Sequence, residues 1–170
     1  LDESRLLAWS DYERLLESAK AMGVDSIGIP GAGEPLLPVN IELTMRFLAK
    51  CKELGLFVTL FTTGQFITEE LAHELYDLPV EIMLKGNSLD CKTQDEFVSN
   101  PATGQIRKGY GKARNRAIQI LIKAGFNKMR SCMKMYGRRS RMALVTSIMT
   151  SEDDGPSNYD EMAKILRYCR

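Results

Sequence analysis

Three short stretches of the chain carry side chains able to do chemistry, and each follows an apolar run. The first is Gly31-Ala32-Gly33-Glu34-Pro35-Leu36-Leu37, which breaks away from the β-branched run ending at Ile29. Its glycines let the main chain turn sharply and lie against a ligand with no Cβ in the way. Glu34 is locked between Gly33 and Pro35, and a carboxylate held there needs a donor or a cation from its site. The plainer reading of this loop is a strand-to-helix turn with a solvated acid. The second stretch is Thr62-Thr63-Gly64, and the third is Lys85-Gly86-Asn87-Ser88-Leu89-Asp90.

Strands must end in these stretches to position them. Residues 24–29, 57–61 and 80–85 are compact apolar runs and form the first three strand candidates. Helical patterns lie between them. Residues 5–22 place Tyr12, Leu15, Leu16, Ala19 and Met22 on one face, with a capping box at Ser10–Glu13 and a stop at Gly23. Asn40 caps a second helix with Leu43, Phe47, Leu48, Cys51 and Leu54 facing inward, ended by Gly55. Thr68 opens a third, carrying Leu71, Ala72, Leu75 and Leu78.

Residues 91–111, with one proline and three glycines, read as a loop long enough to reach over the site, though length alone does not make it a flap. Ala113, Ala117, Ile120, Leu121 and Ala124 form the next helical stripe, stopped by Gly125. Residues 126–141 are basic and show no period. Residues 142–149 are the fourth strand candidate, and a last helix begins near Asn158 or Tyr159 with Met162, Ile165 and Leu166.

This alternation predicts parallel βα units with right-handed crossovers. The strands lack an alternating polar face, which predicts burial on both sides. In α/β barrels and open parallel sheets the carboxyl edge of the strands carries the ligand. The three chemical stretches all fall at that edge, so they are expected to converge on one site.

Composition bounds the rest. With 170 residues, 44% hydrophobic and 26% charged, the chain is expected to form a single soluble domain over 1–170. No apolar run approaches the roughly 18 residues of a membrane span, and no secretory leader is expected. Residues 97–151 contain no Asp or Glu but twelve Lys and Arg, so the remainder carries a net −11 against the total of +1. Such asymmetry marks an anionic substrate, nucleic acid or an acidic partner, or else a solvated basic face. The four cysteines stand about forty residues apart, so no pair has metal-ligand spacing, and free thiols in a reducing cytoplasm are expected. His73, among Glu69, Glu70 and Glu74, reads as a surface residue.

Taken in order, these motifs resemble the radical S-adenosylmethionine superfamily. Residues 31–37 look like the family's Gly-Gly-Glu motif after the second barrel strand. Thr59-Leu60-Phe61-Thr62-Thr63-Gly64 is similar to the Thr-Asn-Gly ending of the third, with Thr63 where the family has Asn. Leu84-Lys85-Gly86-Asn87-Ser88-Leu89-Asp90 looks like the Lys-x-x-Ser-x-Asp ending of the fourth, and 142–149 followed by Asn158-Tyr159-Asp160-Glu161 resembles the fifth strand and its helix.

The resemblance implies a partial (β/α)6 TIM-like barrel with about four βα units present. It implies S-adenosylmethionine across the strand ends, cleaved in the full-length protein to a 5′-deoxyadenosyl radical acting on an unknown substrate. Gly31, Ala32 and Gly33 would approach its methionine part, and Glu34 would accept from its α-ammonium in a charge-assisted bond. Thr62, Thr63 and Ser88 would offer hydroxyls to the ribose or carboxylate. Lys85 would meet a carboxylate or substrate anion, its plainer reading being a solvated strand-end residue.

The family's chemistry also needs a [4Fe–4S] cluster on a C-x-x-x-C-x-x-C loop and an electron donor. This sequence has no such loop, so the expectation is truncation at both ends, with the cluster ligands upstream of Leu1 and the given piece inactive alone. The competing expectation is a non-catalytic α/β module that binds an anionic ligand or RNA through the Gly-rich loop and the basic segment 105–141. Against it, the loop lacks a P-loop ending and no aromatic platform interleaves with the basic residues.

Overall fold

The computed structural model describes residues 7–31, 33–98, 108–128, 130–133, 137–148 and 157–169. Four parallel strands, β1 (Ser26–Ile29), β2 (Phe57–Thr62), β3 (Val80–Lys85) and β6 (Met142–Val145), form one sheet in that spatial order. Helices α1 (Trp9–Ala21), α2 (Ile41–Leu54), α3 (Glu69–Tyr76), α4 (Cys91–Phe97), α5 (Tyr110–Ala124) and α6 (Met162–Tyr168) complete the chain, with a 3-10 turn at Tyr159–Glu161. A separate antiparallel pair joins β4 (Arg130–Met133) to β5 (Gly137–Arg139). This is the parallel α/β arrangement that the strand–helix alternation predicts.

The core lies between the sheet and the helices. Val58, Leu60, Val80, Ile82 and Leu84 cluster with Leu16, Leu48, Cys51, Leu71, Leu75, Ala117, Ile118 and Leu121. The opposite face is covered only in part: Phe57 and Glu81 are buried, Thr59, Phe61 and Met83 are half-buried, and Lys85 and Ala143 are exposed. Among the described residues, the expectation of burial on both faces therefore holds near the starts of β2 and β3 and fails toward their carboxyl ends. Strands with apolar side chains on both faces need not be equally covered on both.

Local details also differ from the sequence reading. α1 begins at Trp9, before the expected capping box, because Asp11 accepts from the N–H of Ala8 at 3.1 Å. Leu15, Met22 and Leu43 are exposed, while Thr44 is buried with its hydroxyl on the carbonyl of Pro35 at 2.7 Å. α1, α2 and α5 stop at Gly23, Gly55 and Gly125 as expected, all with positive φ. Thr68 caps α3 by accepting from Leu71 N, and His73 is exposed on that helix.

Residues 91–111 are not one loop. Asp90 caps α4 by accepting from Thr93 N at 2.8 Å, and α5 already begins at Tyr110. Gly111 lets the two helices touch, since a Cβ there would stand 2.6 Å from the carbonyl oxygen of Cys91. Asp95 on α4 accepts from Gly109 N and Gly111 N, both at 2.7 Å, and so supplies the cap that α5 lacks locally. The basic, aperiodic stretch 126–141 contains β4 and β5. The fourth strand candidate pairs with β3 only through Met142–Val145.

On the far side of β6, Ser140 Oγ accepts from Met142 N at 3.2 Å and lies 3.0 Å from Met142 O. Arg141, buried, donates to the carbonyls of Tyr76 and Leu78 at 2.7 and 2.9 Å and stacks on the Tyr76 and Phe126 rings. It thereby closes the carboxyl end of α3 against the start of β6.

Candidate functional site

The carboxyl ends of all four parallel strands border one cavity of about 230 Å³. The loop after β1 contributes Gly31, Gly33 and Glu34, and β2 contributes Phe61, Thr62 and Thr63. β3 contributes Met83 and Lys85, and the β6 side contributes Val145 and Ser147. Six of the eight residues expected at the site thus meet around one space. Ala32 lies outside the described residues. Ser88 is fully buried outside the cavity lining, its hydroxyl donating to the Glu161 carboxylate at 2.7 and 2.8 Å.

Glu34 is held from every side. Its Oε1 accepts from Leu36 N at 3.1 Å and Thr62 Oγ1 at 2.6 Å. Its Oε2 accepts from Thr63 N at 2.8 Å and from the Thr63 hydroxyl. A carboxylate offers about four lone-pair sites, and the protein itself occupies them all. The backbone is fixed too: the Glu34 carbonyl accepts from Asn40 Nδ2 at 3.0 Å, and Leu36 is fully buried. The solvated-turn reading of this acid is thereby set aside: Glu34 is a tie between the loop after β1 and the end of β2.

The two glycines serve different ends. Gly31 has φ +75°, and a Cβ there would stand 3.1 Å from Gly33 O and 3.3 Å from Phe61 O. Its conformation and its neighbours both demand glycine. Gly33 has no such constraint, since a Cβ built on it meets no described atom within 4 Å. Lys85 is exposed at the cavity, and among the described residues its ammonium makes no hydrogen bond or ion pair. The site therefore pairs a fixed carboxylate with a cation free to meet an anion.

Sequence reasoning missed several polar groups behind this wall. Ser147 N donates to Asn87 Oδ1 at 3.1 Å, and Asn158 Nδ2 donates to Ser147 O at 2.8 Å and to Asn87 O at 2.7 Å. Gln94 Oε1 accepts from the N–H groups of Asn87 and Ser88 at 2.8 and 3.0 Å. Arg114 is fully buried and donates to the Ser88 carbonyl and to Asn115 Oδ1. Burial holds its guanidinium below the ordinary range, with Tyr110, Cys91, Tyr168 and Glu161 acting in the opposite sense. The signal available was the Asn-x-x-Glu spacing at 158–161, where the last helix candidate begins.

Metal ligation finds no support among the described residues, where no three His, Cys, Asp or Glu side chains gather around one point. Cys51 is buried in the core, Cys91 accepts from Asn115 Nδ2 at 3.3 Å, and Cys169 is exposed on α6. The three described cysteine side chains do not fit a [4Fe–4S] cluster. A larger, mainly apolar cavity of about 890 Å³ between α5, β6 and α6 contains none of the expected site residues.

Among the described residues, the basic side chains of segment 105–141 do not all lie on the surface. Arg114 and Arg141 are buried, and Lys123 pairs with Glu69 at 3.0 Å. Residues 105–107 and 134–136 lie outside the described residues. The N-terminus of α5, where an anion would be drawn, is filled by Asp95. No helix among the described residues is long and apolar enough to cross a membrane. Neither a protein-family model nor a curated protein matches the sequence.

Proposed function

We propose that this chain contributes the S-adenosylmethionine-binding edge of a radical S-adenosylmethionine enzyme, built as a partial (β/α)6 barrel. The observation that carries the reading is the convergence of Gly31, Gly33, Glu34, Thr62, Thr63 and Lys85 on one cavity at the strand ends. These residues come from three separate connections, and a parallel sheet binds its ligands at that edge. Helices packed on one face, with the other face partly open, are what a section of a barrel wall requires.

The cavity is smaller than the roughly 300–1,000 Å³ of pockets for drug-sized ligands, so it suits the polar amino-acid end of the cofactor. Lys85 takes the α-carboxylate. The α-ammonium sits against Glu34, whose charge remains although its lone pairs are engaged, and the Thr63 hydroxyl rotates away to free one of them. Gly33, lacking a Cβ, lets the main chain lie against the ligand. S-adenosylmethionine, once bound, supplies a sulfonium centre open to reductive cleavage. The cluster and the electron for that step belong to residues and a donor outside this sequence, and the substrate is set elsewhere.

Calorimetric titration of the 170-residue chain tests the reading. S-adenosylmethionine and free methionine should both bind, and Lys85→Ala should weaken both about tenfold, the effect of losing one charge-assisted bond. Methionine amide, lacking the carboxylate, should bind equally poorly to both proteins. Gly33→Val should abolish binding with little change in melting temperature. Absence of S-adenosylmethionine binding by the unmodified chain overturns the proposal.

A further inference from the structure

Directly behind the cavity, one residue bridges two strands. Asn158 is 1% exposed, and its single Nδ2 group donates to Asn87 O and Ser147 O, at 2.7 and 2.8 Å. Asn87 returns the contact, its Oδ1 accepting from Ser147 N at 3.1 Å. Thr146 Oγ1 adds a bond to Gly86 O at 2.7 Å. Three residues after Asn158, Glu161 accepts from Ser88 Oγ at 2.7 and 2.8 Å and from Leu89 N at 3.3 Å. Between them Tyr159 is 66% exposed and Asp160 is exposed, so only the first and fourth residues of this turn face inward.

These bonds reach the two cavity walls. Lys85 lies two residues before Asn87, and Ser147 is itself a wall residue held at both its N–H and its carbonyl. An apolar side chain could fill the space of Asn158, but it could not fix two carbonyls from different strands at hydrogen-bond distance. We infer that Asn158 and Glu161 are positioning residues, clasping the connection after β3 to the segment after β6 and so setting how Lys85 and Ser147 face each other across the cavity. The assignment rests on the cavity being the S-adenosylmethionine site proposed above.

The test combines calorimetry with amide hydrogen exchange on the 170-residue chain. Asn158→Ala and Glu161→Gln should each weaken S-adenosylmethionine binding about tenfold, the scale of one buried hydrogen bond. Both should speed exchange in residues 85–89 and 144–148 without ligand. Ile165→Ala removes a buried side chain of α6 but leaves the clasp, so it should lower the melting temperature and keep affinity within about twofold. In the unmodified chain, ligand should slow exchange in residues 85–89 and 144–148. The clasp is overturned if Ile165→Ala weakens binding as much as the clasp variants do, or if their exchange in both segments matches the unmodified chain. Failure of the unmodified chain to bind S-adenosylmethionine removes the cofactor reading, and the exchange comparison then still decides the clasp.

Discussion

Oγ1 of Thr62 donates to Oε1 of Glu34 at 2.6 Å, joining the end of one parallel strand to the loop that follows its neighbour. With Leu36 N and both donors of Thr63, this bond makes Glu34 a four-fold acceptor. An amide in its place offers one acceptor oxygen and turns an NH2 group toward donors. Glu34→Gln is therefore expected to cost about 1–3 kcal/mol of stability, from donors left unpaired, and to weaken S-adenosylmethionine binding as well. Denaturant titration and calorimetry measure the two effects separately, and an unchanged denaturation midpoint would show that the tie contributes nothing to the fold.

Asp95 gives a second prediction. Among the described residues it alone caps α5, through Gly109 N and Gly111 N. Asp95→Ala should cost about 1–2 kcal/mol, the scale of a lost helix cap. Asp95→Asn should recover part of this, because its one oxygen can still accept. Equal midpoints for all three proteins would remove the cap.

The contact between α4 and α5 predicts a sharp difference between two glycines. Gly111→Ala places a Cβ 2.6 Å from a backbone oxygen that cannot swing aside, so a loss of about 1–3 kcal/mol is expected. Gly28→Ala meets nothing within 4 Å and should be nearly neutral or slightly stabilising. Melting temperatures of the pair check this directly.

A fourth prediction concerns thiol chemistry. Burial pushes the Cys51 thiol up to about 11 from an ordinary value near 9.0. Because the folded form holds its proton more tightly, its contribution to stability is complete below pH 9. It is lost as pH rises toward 11, by about 2–3 kcal/mol. Cys51→Ala should flatten that alkaline decline. At neutral pH iodoacetamide should modify the exposed Cys169 and leave Cys51 untouched until the chain unfolds, as mass mapping would show.

The strands most legible in the sequence are those whose stability is local and apolar. β2 and β3 stand out as continuous hydrophobic runs, and the three chemical stretches at the strand ends follow from them. α4 did not stand out, because Cys91–Phe97 has no apolar stripe and is held by the Asp90 cap and by Gln94 bonding to the preceding loop. Leu43 looked more buried than Thr44 because the partner of Thr44, Pro35 O, lies nine residues back in a loop. The same holds at the site. Gly31, Gly33, Glu34, Thr62, Thr63 and Lys85 are readable from type and position. The engagement of Ser88 by Glu161, 73 residues away, is a tertiary fact that no local pattern encodes.

The hydroxyl of Ser140 has a geometric consequence for the outer margin of β6. It occupies the N–H of Met142 and crowds its carbonyl, the first outward-facing pair on that strand. Any extended segment laid along this margin must begin its ladder at Leu144 rather than at Met142. One serine side chain thus takes away the first rung that a further strand on this margin would use.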